Sequence, residues 1–390
     1  MSFSVATKVF ITSTYSIPLI YVINRLIDKS GITPFFISLL TILIGGLVLI
    51  TIIKSTRNGV PRNNRYPFYI FGTICFISVS CLIIALELES LISGFTNSFL
   101  KHGEPHLRSS FGAMICHWNG IVNHALALMI VAAITWSNDY TDTLCFWLGS
   151  WLNNSLVLLI GIMVGKTGLN GGFLMYLPFI FVPCHMAYCV LIKKQRKTTK
   201  STINQQNQSD EIDFIWKRPF DLILCFIFLL STLMTLLRGL AVLDSPFWLC
   251  TSYTKSVEPY LLSSTPAPFA KIQMIIYLFY YLPFYLYAIN RLIVNRCTNN
   301  QTMSKLSAFL AGAVIAAQFT HIGSSFHSRT PYILRVPSDF MSQLLFWSIN
   351  LILTIGPILL AIRCKQDEST ETYEDDEDKV TSFDQKKSTD

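Results

Sequence analysis

The sequence has little charge for its length. Only 14% of its 390 residues are charged, against about a quarter in a typical soluble protein. The mean hydropathy of +0.47 points the same way and favours a membrane protein over a soluble one. The net charge of +7 is carried by short basic runs between apolar segments. Such runs orient membrane proteins, so no nucleic-acid partner is expected.

The sequence also lacks the short motifs of common catalytic and cofactor sites. It has no nucleophile elbow, P-loop, dinucleotide fingerprint or metal-binding helix motif. Its ten cysteines form neither a CxxC pair nor a zinc spacing. Most of them lie inside apolar runs, where they are expected as small buried side chains. Neither a cofactor nor a metal is therefore predicted.

Long apolar segments are abundant. A transmembrane helix needs about 20 mostly apolar residues, and the pattern predicts an all-α polytopic membrane protein with about ten such helices. The predicted spans are 5–25, 35–53, 67–88, 111–135, 143–165, 171–192, 219–243, 270–293, 306–326 and 341–362. Four tryptophans near span ends are predicted to face the membrane interface: Trp136, Trp147, Trp216 and Trp248.

Basic residues are concentrated in the loops that follow even-numbered spans. Positive loops stay on the cytosolic side, so both termini are predicted to be cytosolic. Residues 195–216 are rich in Gln, Asn, Ser and Lys and predict a flexible cytosolic linker. The acidic residues 366–390 predict a disordered tail.

The two halves of the chain resemble each other, which predicts an internal repeat. In the first half, Pro67 opens an apolar helix, and a Glu-Pro pair begins 37 residues later at Glu104. In the second half, Pro219 precedes the pair that begins at Glu258 by 39 residues. Three more apolar helices complete each half, and an even number of helices keeps the two repeats parallel. The predicted domains are a two-helix N-terminal region at 1–60 and four-helix repeats at 61–194 and 217–365.

Polar side chains recur at or near membrane depth in both halves. Such groups are costly in a bilayer and usually face a cavity or a partner. The repeated acids therefore predict a polar lining around an apolar pocket, with hydrogen bonding between helices as the alternative for any one residue. The candidate catalytic residues are Glu87, Glu104, His117, Asp244 and Glu258. The candidate ligand-binding residues are Glu89, Trp118, Asn119, Tyr277, Tyr281, Gln318 and His321.

Several segments resemble the transmembrane 6 superfamily. They are His102 to Arg108 and Met114 to Gly120 in the first half, and Arg238 to Asp244, Glu258 to Leu261 and Ala317 to Ser325 in the second. That family carries two EXPERA domains, a module shared with the emopamil-binding sterol isomerase. The resemblance implies two EXPERA repeats and a role in lipid handling in endoplasmic-reticulum or endolysosomal membranes. It also implies sterol isomerase activity, which is proposed for the family.

The resemblance supports binding better than catalysis. Moving a ring double bond needs an acid, a site that tolerates a cation, and a base. The related isomerase uses a His and a Glu on one helix, and their positions fall at Cys81 and Ala85 here. Its second Glu falls near Asn119. In the second half, Asp244 and Glu258 match acids that shape the pocket of a cholesterol-linked relative.

Three hypotheses follow from these observations. The first is a membrane protein that binds a sterol or another apolar lipid and regulates lipid metabolism. The second is an active sterol isomerase that uses the candidate acids. The third is a non-catalytic lipid transporter or a structural membrane partner. A homodimer is compatible with each of the three.

Overall fold

The computed structural model describes residues 4–30, 60–166, 173–189, 215–294 and 301–387. Every regular element within these ranges is a helix, which confirms the predicted all-α fold. The predicted linker 195–216 falls almost wholly outside the described residues.

The helices are numbered here in chain order. Those of the first half are α1 Val5–Thr14, α2 Ser16–Ser30, α3 Arg65–Leu88, α4 Asn97–His102, α5 Ser110–Trp136, α6 Thr141–Val164 and α7 Phe173–Ala187. Those of the second half are α8 Pro219–Val242, α9 Trp248–Ser256, α10 Phe269–Ile276, α11 Leu282–Ile293, α12 Gln301–Phe326 and α13 Phe340–Lys387. A π-helical turn, Tyr277–Tyr281, joins α10 to α11.

Eight helical segments of the described residues are long and apolar enough to cross a membrane. They correspond to eight of the ten predicted spans, which confirms a polytopic membrane protein. The predicted span 171–192 contains α7, whose apolar stretch Leu177–Ala187 is shorter. The predicted span 35–53 lies outside the described residues.

The first candidate span, Val5–Asp28, consists of two helices rather than the one that was predicted. Helix α1 ends at Thr14, and α2 begins at Ser16. Pro18 lies in the first turn of α2, where it has no N–H to donate to the carbonyl of Thr14. Since proline is tolerated in a first turn, a new helix starts there.

Most of residues 366–390, which the sequence predicted to be a disordered tail, are helical in the structure, and disorder of this tail stays a prediction. Helix α13 continues from the last candidate span through Lys387. The tail holds four Glu and three Lys residues, which are good helix formers, among a larger number of Asp, Ser and Thr residues, which are weaker ones. An existing helix extends at low cost because its nucleus is already formed.

Helices α3 and α8 end in the same way. Ser90 and Asp244 each lie two residues past the last helical residue, with φ angles of 62° and 58°. In both turns the next amide donates to a carbonyl five positions back, at 3.0 Å after α3 and 3.1 Å after α8. These are Schellman turns, which need a residue in the left-handed region. Aspartate tolerates that region better than most residues, which explains an acid at position 244.

A second pair of matching turns follows. Glu104 has φ −134° and ψ 71°, and Glu258 has φ −130° and ψ 69°. Each precedes a short 3-10 helix that begins with proline. The same 154 positions separate Ser90 from Asp244 and Glu104 from Glu258. On this register Pro219 matches Arg65 rather than Pro67, which accounts for the spacings of 37 and 39 residues to the Glu-Pro pairs. The exact domain boundaries remain a prediction.

Helices α6 and α12 pack closely and join the two halves. A side chain at Gly149 of α6 would collide with the backbone carbonyl of Phe309. Conversely, a side chain at Gly312 of α12 would collide with the carbonyl of Phe146. The two glycines therefore let the backbones touch, as small residues do between membrane helices.

We expect Gly149→Ala to destabilise the protein, because its methyl group meets backbone that cannot rotate away. Overpacking of this kind costs about 1–3 kcal/mol, so the melting temperature in detergent should fall. The matched control is Gly356→Ala, whose new methyl group would lie 3.0 Å from a side-chain carbon of Ile227, which can move. Equal melting temperatures for the two variants would contradict the close contact of α6 with α12.

Candidate functional site

A cavity of about 200 Å³ lies inside the first half of the chain. All of the side chains that line it lie between Ile20 and Phe179 and come from α2, α3, α5, α6, α7 and the segment between α3 and α5. A single water needs only about 10–15 Å³ measured in this way, so the space suits a larger guest. Most of the lining is apolar, as at Ile84 and Leu158.

A few polar side chains interrupt this apolar lining. Glu104 is 3% exposed and reaches the cavity from the turn before the first 3-10 helix. Asn119 of α5 and Asn154 of α6 also line it. Apolar walls with a few polar groups are typical of small-molecule sites, where the polar groups orient the ligand.

Glu87 lies beside the cavity and shapes its wall. One of its carboxylate oxygens accepts a hydrogen bond from the amide of Gly94 at 2.8 Å. The other accepts bonds from the amide and, at 2.5 Å, from the hydroxyl of Thr96. Thr96 itself lines the cavity. Both oxygens of Glu87 thus hold the loop in place, while its catalytic role stays a prediction.

Asn119 is held by a chain of hydrogen bonds that runs between α5 and α6. The indole of Trp118 donates to Ser150 at 2.6 Å, and Ser150 donates to Asn123 at 2.9 Å. The amide of Asn123 then donates to the side-chain oxygen of Asn119 at 2.8 Å. Trp118 is therefore committed to the packing of these helices, while Asn119 presents the rest of its amide to the cavity.

In the second half, Arg238 fills the corresponding interior. On the 154-residue register it matches Ile84, which lines the cavity, just as Glu258 matches Glu104. Arg238 is 1% exposed and donates from Nη2 to Glu258 and, at 3.0 Å, to Asn350. Its Nε donates to the hydroxyl of Tyr253 at 3.1 Å. Two equivalent glutamates thus have different surroundings, one beside a cavity and one against an arginine.

The charge of Arg238 decides the chemistry of Glu258. Burial alone would raise the pKa of this carboxyl, but the charge of Arg238, the nearby His321 and a hydrogen bond from Asn350 lower it below the usual range. Burial and the negative charge of Glu258 raise the pKa of Tyr253 despite Arg238. Glu258 is therefore an ionised carboxylate whose charge is balanced by Arg238, which makes it a poor proton donor.

The other candidate ligand-binding residues of the second half are buried and lie close to polar side chains of the protein. Gln318 donates to the hydroxyl of Tyr277 at 2.9 Å. His321 lies with its Nε2 3.6 Å from Glu258. Tyr281 donates to Asn153 of α6 at 2.6 Å, so it connects the second half to the first. None of these four side chains lines the cavity described above.

Asp244 lies away from both interiors. Its side chain is 73% exposed and pairs with Lys271 at 3.1 Å. The Schellman turn explains why an acid occupies this position. The sequence predicted Asp244 to be catalytic and to shape a pocket of the second half, and it is not among the residues that line the cavity of the first half.

Glu89, His117 and His327 form a separate cluster where the two halves meet. The backbone amide of Arg329 donates to Nδ1 of His327 at 3.0 Å, so the proton of that ring is on Nε2. This Nε2 then donates to Oε1 of Glu89 at 2.7 Å. The Nε2 of His117 lies 3.7 Å from the same oxygen. Partial burial would raise the pKa of Glu89, but His327, His117 and Arg329 together lower it. The cluster fixes the segment after α12 against the end of α3.

Sequence reasoning missed three residues that shape these interiors, namely Asn153, Asn154 and Arg238. Asn153 and Asn154 are adjacent in an otherwise apolar helix, which was an available signal because polar residues within spans face a partner or a cavity. Arg238 lies one turn from the end of α8, where arginine normally reaches the membrane interface, so its burial had no local signal.

We expect Arg238→Leu to destabilise the protein strongly, because it leaves Glu258 buried without a counter-charge. Removing one partner of a buried pair costs about 3–5 kcal/mol. The double variant Arg238→Leu/Glu258→Leu should recover most of this loss, since neither charge remains. Asp244→Asn is the matched control, because Asn also tolerates the left-handed region, and it should change little. Thermal unfolding in detergent measures all three, and a single variant as stable as the double variant would contradict the pairing.

Comparison with known proteins agrees with the resemblance that the sequence predicted. Residues 15–202 match the family model of the transmembrane domain of transmembrane 6 superfamily member 2-like proteins. Transmembrane 6 superfamily member 2 of Homo sapiens is 35% identical over 363 residues, covering 93% of each chain. The Mus musculus protein of the same name is 34% identical over 351 residues, covering 90% of this chain and 89% of the relative. No solved structure matches the chain. The protein is therefore a multi-pass membrane protein that belongs to the transmembrane 6 superfamily.

Proposed function

We propose that this protein binds a sterol or a similar apolar lipid in the cavity of its first half and thereby regulates lipid metabolism. The observation that carries the proposal is the cavity itself, which is apolar over most of its lining and has a buried carboxyl, Glu104, at one point. An apolar guest gains from leaving water in proportion to the surface it buries. The few polar groups of the lining then orient it.

The resemblance to the sterol isomerase supports the same location. The positions of two of its catalytic residues fall at Cys81 and near Asn119, and both of these side chains line the cavity. The residues that would do chemistry in the isomerase are thus replaced here, while the space around them is kept. This arrangement favours binding over conversion of the lipid.

Isomerisation is the weaker candidate. A double-bond shift needs one group to give a proton and a second to remove one. Glu104 is the one carboxylic acid among the described residues that line the cavity. Glu87 is engaged with a loop, and Asp244 and Glu258 lie elsewhere. Complementation of an isomerase-deficient strain at normal expression would revive this candidate.

The proposal extends to location and assembly. We place the protein in the endoplasmic-reticulum or endolysosomal membrane with both termini in the cytosol, as its charge pattern and family resemblance favour. Asn207 and Asn300 are sequons that would then face the cytosol, so a glycan on either would contradict this orientation. A homodimer is compatible with the proposal and is not required by it.

We expect a photoreactive sterol analogue to label peptides of α3 and α5 saturably in the purified protein. Cys116→Phe should reduce this labelling at least several-fold, because Cys116 is buried and lines the cavity, where a phenyl ring occupies the guest's space. Leu233→Phe is the matched control, since Leu233 is exposed on α8 and its replacement should leave labelling unchanged. Labelling that is unaffected by Cys116→Phe, or that falls only on α8 to α13, would contradict the proposed site.

A further inference from the structure

Asn154 is a buried hydrogen-bond donor that faces the cavity without a protein partner. It is 1% exposed and lines the cavity from α6. Its amide nitrogen, Nδ2, has no hydrogen-bond partner among the described residues. Buried donors are almost always paired in native proteins, and leaving one unpaired is costly. An unpaired donor that lines a cavity therefore calls for an acceptor inside it.

The orientation of the Asn154 amide follows from its neighbour Asn153. The hydroxyl of Tyr281 lies 2.6 Å from the Oδ1 of Asn153, a distance typical of an O–H···O bond rather than an N–H···O bond. The oxygen of Asn153 therefore faces Tyr281, and its nitrogen faces the other way. That nitrogen donates to Oδ1 of Asn154 at 3.3 Å. The side-chain oxygen of Asn154 thus accepts a hydrogen bond from Asn153. Its Nδ2 is the atom left without a hydrogen-bond partner among the described residues.

The second half of the chain holds this arrangement in place. Gln273 of α10 exchanges two hydrogen bonds with Asn153, both 3.1 Å long. Together with Tyr281 of the π-helical turn, it locks the Asn153 amide in one orientation. Because α10 also packs against α6, the second half positions a donor for the cavity of the first half.

We infer that the Nδ2 of Asn154 is the group that selects the ligand, and that it selects a neutral lipid with an acceptor oxygen, such as a hydroxyl, a ketone or an ester carbonyl. This inference rests on the proposed function. The described residues that line the cavity include neither lysine nor arginine, and Glu104 is among them. A phosphate or a carboxylate would have no cation to pair with there, so a phospholipid headgroup or a free fatty acid is disfavoured.

The test compares two competitors that differ by one oxygen. Cholestan-3-one carries a ketone, which accepts hydrogen bonds and donates none, while cholestane carries no polar atom. Each competes with the photoreactive sterol analogue for wild-type protein in detergent. We expect the ketone to compete about 10-fold better, because one hydrogen bond to a buried donor contributes about that factor. Asn154→Leu, which has similar volume and no donor, should abolish the difference by weakening the ketone alone.

Each outcome decides the inference. If the ketone and the hydrocarbon compete equally in the wild type, the inference fails while the proposed binding of an apolar lipid stands. If the preference for the ketone persists in Asn154→Leu, another donor selects the ligand and the assignment of Asn154 is wrong. If neither compound competes, the proposed function fails together with the inference. The wild-type comparison does not depend on the folding of any variant.

A second variant tests the positioning by the second half. Tyr281→Phe removes the hydroxyl that fixes Asn153 and leaves every cavity side chain in place. We expect the preference for the ketone to shrink, because the Asn154 amide is then free to turn, while competition by cholestane stays unchanged. A preference equal to that of the wild type would show that the contact with Tyr281 does not orient the donor.

Discussion

The two halves of this protein differ in what surrounds two buried glutamates at equivalent positions, Glu104 and Glu258. A carboxyl away from water must be offset by hydrogen bonds or a counter-charge. Glu258 is offset by Arg238, whose guanidinium occupies the space beside it and also binds Tyr253 and Asn350. Glu104 has Ile84 at the matching position and lies at the edge of a cavity. One repeated framework thus places one glutamate beside a cavity and the other against an arginine.

The second half of the chain also gives structural support to the first. Helices α6 and α12 touch through Gly149 and Gly312, so the halves pack as one unit along their length. At the end of α3, Glu89 binds His327 from the segment after α12. A third contact is the hydrogen bond that the hydroxyl of Tyr281 donates to Asn153 beside the cavity. The second half therefore matters for the proposed ligand binding in the first, because it fixes residues beside the cavity wall.

Much of the fold could be predicted from the sequence, because long apolar segments and repeated Glu-Pro pairs are local signals. The predicted site was harder, since whether an acid is buried depends on residues far away in the chain. Glu104 and Asn119 do line the cavity, but Asp244 is an acid because a left-handed turn tolerates one. Trp147 was predicted at the membrane interface, yet it is fully buried against Phe71. A helix that is apolar on every side does not reveal which face meets other helices.

The central claim is the proposal that an apolar lipid occupies the cavity of the first half, which Ile84 helps to line. Native mass spectrometry of the purified protein, compared with Ile84→Arg, tests this claim most directly. The substitution gives the first half the arginine that the second half has, beside an equivalent glutamate. The account predicts that the wild type retains one lipid-sized adduct and that the folded variant loses it. A variant that retains the same adduct would contradict the account, because the lipid would then lie outside this cavity.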